Sequence, residues 1–371
     1  MSNEESAVTR RDWLITGGIA LGGLALPAAS GGAESVLRPA RARLSLNENP
    51  FGPSPFALAA IRNQLGEVCR YVDDGVEALT REIVARESVS ADQIVLGEIL
   101  GALGLHLAMS GPAGGEFIYS EPGYTALVDA VAPGGGVVIG VPLDQHLEND
   151  LSAIAAKVSS RTRAIYLVNP HNPSGTVTDT VTFTIFVREM ANRATVIVDE
   201  AYLEFEPDFD ARTAAGLTRA GENVVVFRTF GKIYALAGLS MGYAVAPKAL
   251  AESLKRADIG VPETLDRLAL AAATASLRDR GYVATLRAKV IAERKKWNSL
   301  FDALKLRHSE SRGNFVFFET GRPHREVAAA LDARGVDIGR AFPPLDHWAR
   351  ISIGLPQENA RAREAIVGLL G

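Results

Sequence analysis

The chain has 371 residues, 47% of them hydrophobic and 22% charged, a balance that excludes a largely disordered polypeptide and is long enough for two domains. A net charge of −4 gives no electrostatic footprint for a nucleic acid, and a single cysteine, Cys69, excludes an intrachain disulfide framework and a cysteine-based zinc site. The six histidines are scattered, so no metal is expected.

Arg10-Arg11-Asp12-Trp13-Leu14 precedes a glycine-rich apolar run to about Ala29 and then small residues. A paired-arginine start, an apolar core of about 15 residues and a small-residue end fit an export signal better than a membrane span, which needs about 20. The arginine pair resembles the twin-arginine signal, with Thr9 in place of its usual serine and Ile15 in place of its lysine. Residues 1–35 are therefore expected to be a signal segment directing the protein to the periplasm, with a cytoplasmic location if the signal does not function. No stable membrane span is expected.

Beyond it, β-rich runs alternate with helical patterns. Strands are expected at Ile94–Gly97, Phe117–Ser120, Val137–Val141, Ala164–Asn169, Val196–Asp199, Val224–Arg228 and Gly242–Ala246. Helical periodicity lies between most of them, as in Glu98–Met109 and Thr178–Asn192. Apolar strands separated by helices imply an α/β fold: a mostly parallel seven-stranded sheet with helices on both faces. After about Ala251 the pattern shifts to long charged helices, Thr285–Leu304 being the clearest, then to short strands at Asn314–Phe318 and Arg350–Ile353. The expected organisation is an N-terminal arm with part of a small domain over 36–65, a large domain over 66–250 and a small α+β domain over 251–371.

A parallel sheet binds ligands beyond the carboxyl ends of its strands, so the polar residues there are the informative ones. Asn169-Pro170-His171-Asn172-Pro173-Ser174-Gly175, Asp199-Glu200-Ala201-Tyr202 and Arg228-Thr229-Phe230-Gly231-Lys232 follow three successive strands. They put a carboxamide, a carboxylate, a phenol, a hydroxyl and a lysine on one rim. That set suits a pyridine cofactor. A buried Asp can keep a ring nitrogen protonated, Asn and Tyr can bond a ring hydroxyl, and a lysine can form a Schiff base and shuttle a proton.

These segments, with Arg228–Tyr243 read as RTFGKIYALAGLSMGY, resemble the signatures of fold-type I, pyridoxal-phosphate-dependent aminotransferases of classes I and II. Asn47-Glu48-Asn49-Pro50-Phe51-Gly52-Pro53 and Arg350-Ile351-Ser352-Ile353-Gly354-Leu355-Pro356 are similar to motifs of the histidinol-phosphate aminotransferase branch. The resemblance runs from about Leu44 to the C-terminus. It implies that Lys232 carries the Schiff base and moves the proton, Asp199 pairs with the pyridine nitrogen, and Asn172 and Tyr202 bond the ring hydroxyl. Tyr124 would stack on the ring. Gly97, Glu98 and Ile99 would cradle the phosphate with their N–H groups, assisted by Thr229. Arg350, Arg340 and Asn47 would face the substrate, an amino acid or amino-alcohol phosphate paired with an oxo acid or aldehyde. A homodimer is implied, with Tyr71 reaching the partner's site.

Two positions depart from the family pattern. Ser240 stands eight residues after Lys232, where relatives carry an arginine, and Glu98 stands where a small hydroxyl residue is usual. Either the phosphate is held less firmly or Arg228 is recruited. Other readings also exist. A lyase or decarboxylase would use the same cofactor. Gly238-Leu239-Ser240-Met241-Gly242 matches the nucleophile elbow of serine hydrolases, with Asp346 and His347 downstream. A periplasmic binding protein would leave the polar rim unexplained.

Overall fold

The computed structural model describes residues 41–371. The arginine pair and the apolar run of the expected signal lie outside that range.

Strand β1 (Ala42–Leu44) belongs to the N-terminal arm. The seven expected strands all form, as β2 (Ile94–Leu96), β3 (Glu116–Glu121), β4 (Val137–Pro142), β5 (Thr162–Val168), β6 (Thr195–Asp199), β7 (Val224–Thr229) and β8 (Gly242–Val245). They make one sheet in the order β2-β8-β7-β6-β5-β3-β4. The five central and outer strands from β7 to β4 are parallel, while β8 runs antiparallel to both β7 and β2.

Burial on both faces follows from the period of two. Along β7, Val224 and Val226 enter one core with Phe183, Val187 and Met190 of the helix Thr180–Ala191. Val225 and Phe227 enter the opposite core with Leu100 and Leu103 of the helix Leu100–Met109. Every residue of β7 is buried, so nothing in its polarity distinguishes the faces, and only side-chain parity does.

The C-terminal part adds the 24-residue helix Arg280–Ala303 and three strands: β9 (Phe315–Glu319), β10 (Val336–Ile338) and β11 (Trp348–Ser352). β11 pairs antiparallel with β9, and β10 pairs in parallel with β1 of the arm. Asn314, just before β9, donates its side-chain amide to the carbonyls of Asn47 and Glu48 at 2.9 and 3.1 Å. The arm is thereby held beside β11, and Arg350 comes to the mouth of the large sheet. Among the described residues no helix is long and apolar enough to cross a membrane.

Candidate active site

A cavity of about 520 Å³ opens at the carboxyl ends of β6 and β7. Asn47, Glu98, Tyr124, Asn172, Asp199, Tyr202, Thr229, Lys232, Arg340 and Arg350, ten of the residues singled out from sequence, line it together. Gly97 and Ile99 sit one step outside, in an adjoining cavity of about 420 Å³ that shares Glu98 and Ser240, and the Gly97 N–H expected to cradle the phosphate is instead given to the Gly242 carbonyl at 2.8 Å. Gly97 has φ +109°, a conformation a side chain disfavours, and this bend turns the chain from β2 into the helix Leu100–Met109.

Asp199 ends β6 and is 1% exposed. Its Oδ2 accepts from the Tyr166 hydroxyl at 2.8 Å, and its Oδ1 accepts from the Ala201 N–H at 3.0 Å. Burial raises its pKa to about 6; these two bonds and the charge of Lys232 hold it from rising further. A buried carboxylate in this position is ready to pair with a cation such as a protonated ring nitrogen.

The Tyr202 hydroxyl accepts from the side-chain amides of Asn47 at 3.1 Å and Asn172 at 3.5 Å. Lys232 follows the end of β7 and points across the cavity. Its Nζ lies 3.5 Å from the Leu46 carbonyl and 5.7 Å from the Tyr202 ring centroid. Arg350 closes the same wall. It is 7% exposed, donating to Asn172 Oδ1 at 2.6 Å and to the Ser45 carbonyl at 2.8 Å, while its Nε has no partner. Burial lowers its pKa to about 10, so the guanidinium still carries its charge at neutral pH. Arg340 lies over the Phe342 ring at 4.5 Å and donates to the Gly123 carbonyl at 3.3 Å.

At the other end of the cavity the Thr229 hydroxyl donates to Glu98 Oε1 and accepts from the Gly231 N–H at 2.9 Å. Arg228 is not there. Phe227 and Thr229 share the cavity face of β7, so Arg228 must point to the opposite face. Its guanidinium is 3.0 Å from Glu200, 3.7 Å from Glu87 and 3.7 Å from Glu204. The alternative that Arg228 is recruited in place of the missing arginine is overturned, because strand parity and three glutamates hold it away. Tyr71 does not line the cavity either; it is 83% exposed.

Ser240 lines the cavity with φ +45°, between the short turn Ala237–Leu239 and β8. A nucleophile elbow joins a strand to a helix, whereas this serine joins a turn to a strand, and neither Asp346 nor His347 lines the cavity. Sequence reasoning missed Tyr166 and Phe342. Tyr166 lies within an apolar run that reads simply as a buried strand. Only the β5–β6 register, which sets Tyr166 opposite Ile197, puts its side chain on the face of Asp199, and no signal in the sequence carries that register.

The pattern of the class I and II aminotransferases matches residues 42–366. The chain belongs to the class I and II aminotransferase family.

A histidinol-phosphate aminotransferase from Limosilactobacillus fermentum is 32% identical over 330 residues, covering 88% of this chain and 90% of the relative. A solved protein from Erwinia carotovora atroseptica superposes with a TM-score of 0.83 at 30% identity, covering 88% of this chain and 95% of its own. The histidinol-phosphate aminotransferase from Sinorhizobium meliloti, solved in complex with pyridoxal 5'-phosphate, superposes with a TM-score of 0.78 at 28% identity, covering 88% and 91%. The fold is therefore the fold-type I transferase fold expected from sequence, and the chain is a pyridoxal-phosphate-dependent aminotransferase. Its residues suit the cofactor's ring end: a buried acid braced by a phenol, two carboxamides on a second phenol and a lysine meet in one cavity. The phosphate end departs from the family pattern through Glu98 and Ser240.

Proposed function

We propose that this aminotransferase moves an amino group between an anionic amine and an oxo acid or aldehyde, the amine being an amino acid or an amino-alcohol phosphate such as histidinol phosphate. The observation that carries the reading is Arg350, a buried guanidinium in the cofactor cavity with an unpartnered Nε. An unpaired buried donor is costly by itself, and a substrate carboxylate or phosphate entering the cavity supplies the missing acceptor.

Pyridoxal phosphate, when bound, supplies an aldehyde that captures the amine and a ring that withdraws electrons from the bond being broken. The chain's own residues do the rest. Asp199 stays ionised against the protonated ring nitrogen. Tyr202, with Asn47 and Asn172 donating to its hydroxyl, sets the polarity around the ring hydroxyl. Lys232 Nζ would act as the base that takes the proton from the substrate's Cα and as the acid that returns it on the far side of the amine nitrogen, completing a 1,3-transfer. Arg350 fixes the substrate's anion, so that the Cα–H faces Lys232 rather than solvent. Tyr124 covers the ring, and Arg340 extends the positive wall. The test is a spectral screen of the coloured holoprotein against amino acids and histidinol phosphate. The expected result is loss of the visible cofactor band with one equivalent of oxo acid or aldehyde formed. A holoprotein whose spectrum answers to no anionic amine would sink the reading.

The exposed Tyr71 supports a homodimer in which this ring reaches the partner's cavity; sedimentation should then give twice the monomer mass, and Tyr71→Phe should loosen the cofactor. The Arg10-Arg11 motif supports export to the periplasm in folded form, after cofactor loading. Replacing both arginines by lysine should keep the enzyme in the cytoplasm, and undiminished periplasmic recovery would contradict the signal.

A further inference from the structure

The phosphate end of the cavity holds an acid where an anion must sit. Glu98 stands at the bend between β2 and the helix Leu100–Met109, the place where free N–H groups of a helix start favour an anion. Its carboxyl faces inward: Oε1 accepts from the Thr229 hydroxyl, and the residue borders both the 520 Å³ cavity and the adjoining 420 Å³ one.

The charged and titratable groups around it give an ionised Glu98 little relief. Of the charges, Asp199 across the cavity disfavours the carboxylate and Lys232 favours it, as does the hydrogen bond from Thr229. Tyr124 faces it without charge, and Asp258 and Asp266 line the adjoining cavity. Ser240 offers a hydroxyl where a guanidinium would have balanced the charge. Desolvation already holds the Glu98 carboxyl above the usual range, against the opposing hydrogen bond from Thr229. A bound phosphate adds a like charge within the same cup, and two anions there cannot both remain ionised cheaply.

We propose that Glu98 takes up a proton from solvent as the cofactor's phosphate enters, and then acts as a hydrogen-bond donor to that phosphate in place of the missing arginine. Cofactor retention is thereby coupled to pH. The proton goes to one carboxylate oxygen, no covalent bond is made or broken, and Thr229 remains the second hydroxyl donor of the cup. The inference rests on the reading that pyridoxal phosphate fills this cavity with its phosphate toward β2.

The test compares full-length wild type with Glu98→Gln, which keeps shape and a donor but cannot titrate, and with Glu98→Ser as a smaller second variant. Equilibrium dialysis against pyridoxal phosphate between about pH 6 and about pH 9 should show wild-type affinity weakening with rising pH, by up to roughly tenfold per unit more than in Glu98→Gln. Calorimetric titration in two buffers of different ionisation enthalpy should count up to about one more proton taken up by wild type than by Glu98→Gln. Pyridoxal, which lacks the phosphate, should abolish that difference. Equal proton counts in wild type and both variants would overturn the inference while leaving the aminotransferase reading intact. A folded chain that binds no pyridoxal phosphate at any pH would overturn the cofactor reading and this inference with it.

Discussion

Tyr166 on β5 donates its hydroxyl to Asp199 on β6 across 2.8 Å, and both side chains are almost wholly buried. Removing a hydrogen bond to the charged form raises a carboxyl's pKa, so the phenol keeps the acid more ionisable than burial alone would. The same pair gives a prediction for the cofactor-free protein. Burial raises Asp199 from the ordinary carboxylate range to about 6, so the folded state holds the proton more tightly than the unfolded chain. Stability from this group is intact below about pH 4 and is lost as pH rises through about 6, by roughly 3 kcal/mol in all. Chemical denaturation of cofactor-free Asp199→Asn should lack that slope, and Tyr166→Phe should extend it to higher pH. A constant stability gap between wild type and Asp199→Asn over this range would refute the assignment.

Lys232→Ala should abolish transamination. Borohydride should fix the cofactor to a peptide containing Lys232 in wild type and to no peptide in the variant. Because Asp199, Asn172 and Tyr202 are untouched, the variant should still take up cofactor. Appreciable turnover without the ε-amine would remove Lys232 from the reaction.

Arg350→Lys keeps the charge but not the planar fork. The loss of a charge-assisted two-point contact corresponds to about 2–3 kcal/mol, or roughly 30- to 150-fold in kcat/KM for anionic amines. Most of the change should appear in KM, with the visible cofactor band normal. Wild-type kinetics would show that Arg350 serves only to hold Asn172 and the arm.

Arg228 gives the contrasting outcome. It lies among Glu87, Glu200 and Glu204 on the face of β7 turned from the cavity; Glu87 and Glu204 also pair with Arg86, so its removal strands the buried Glu200. Arg228→Met should destabilise the protein by about 3–5 kcal/mol, measured by chemical denaturation. Cofactor affinity per folded molecule should stay unchanged. A selective loss of cofactor with normal stability would return Arg228 to the phosphate site.

The seven large-sheet strands and the polar rim were legible because both are local signals: short apolar runs bounded by helical periodicity, and chemically distinctive residues at strand ends. Strand β8 read equally well as a strand, but nothing in Gly242–Val245 announced its reversal. Direction in a sheet comes from the path of the connecting chain, and here β8 follows β7 after only the turn that carries Lys232. The three-residue strands β1 and β10 had no legible signal. Each is too short to show a period, and their pairing joins Ala42 to Val336.

Sequence by itself determined the α/β class, the family and the rim residues Asn172, Asp199, Tyr202, Thr229 and Lys232, because an apolar strand buried on both faces forces its polar ends to a common rim. Tertiary structure decided which way each of those residues looks. Arg228 and Thr229 are neighbours in the chain, yet alternation along β7 sends one into a buried cluster of glutamates and the other to the cavity. The arm's pairing with β10, and the Asn314 clamp on Asn47, bring Arg350 over the site from more than a hundred residues beyond Lys232. A strand's face is set by register with its neighbours and a clamp by two distant segments at once, and neither is encoded in any local stretch of sequence.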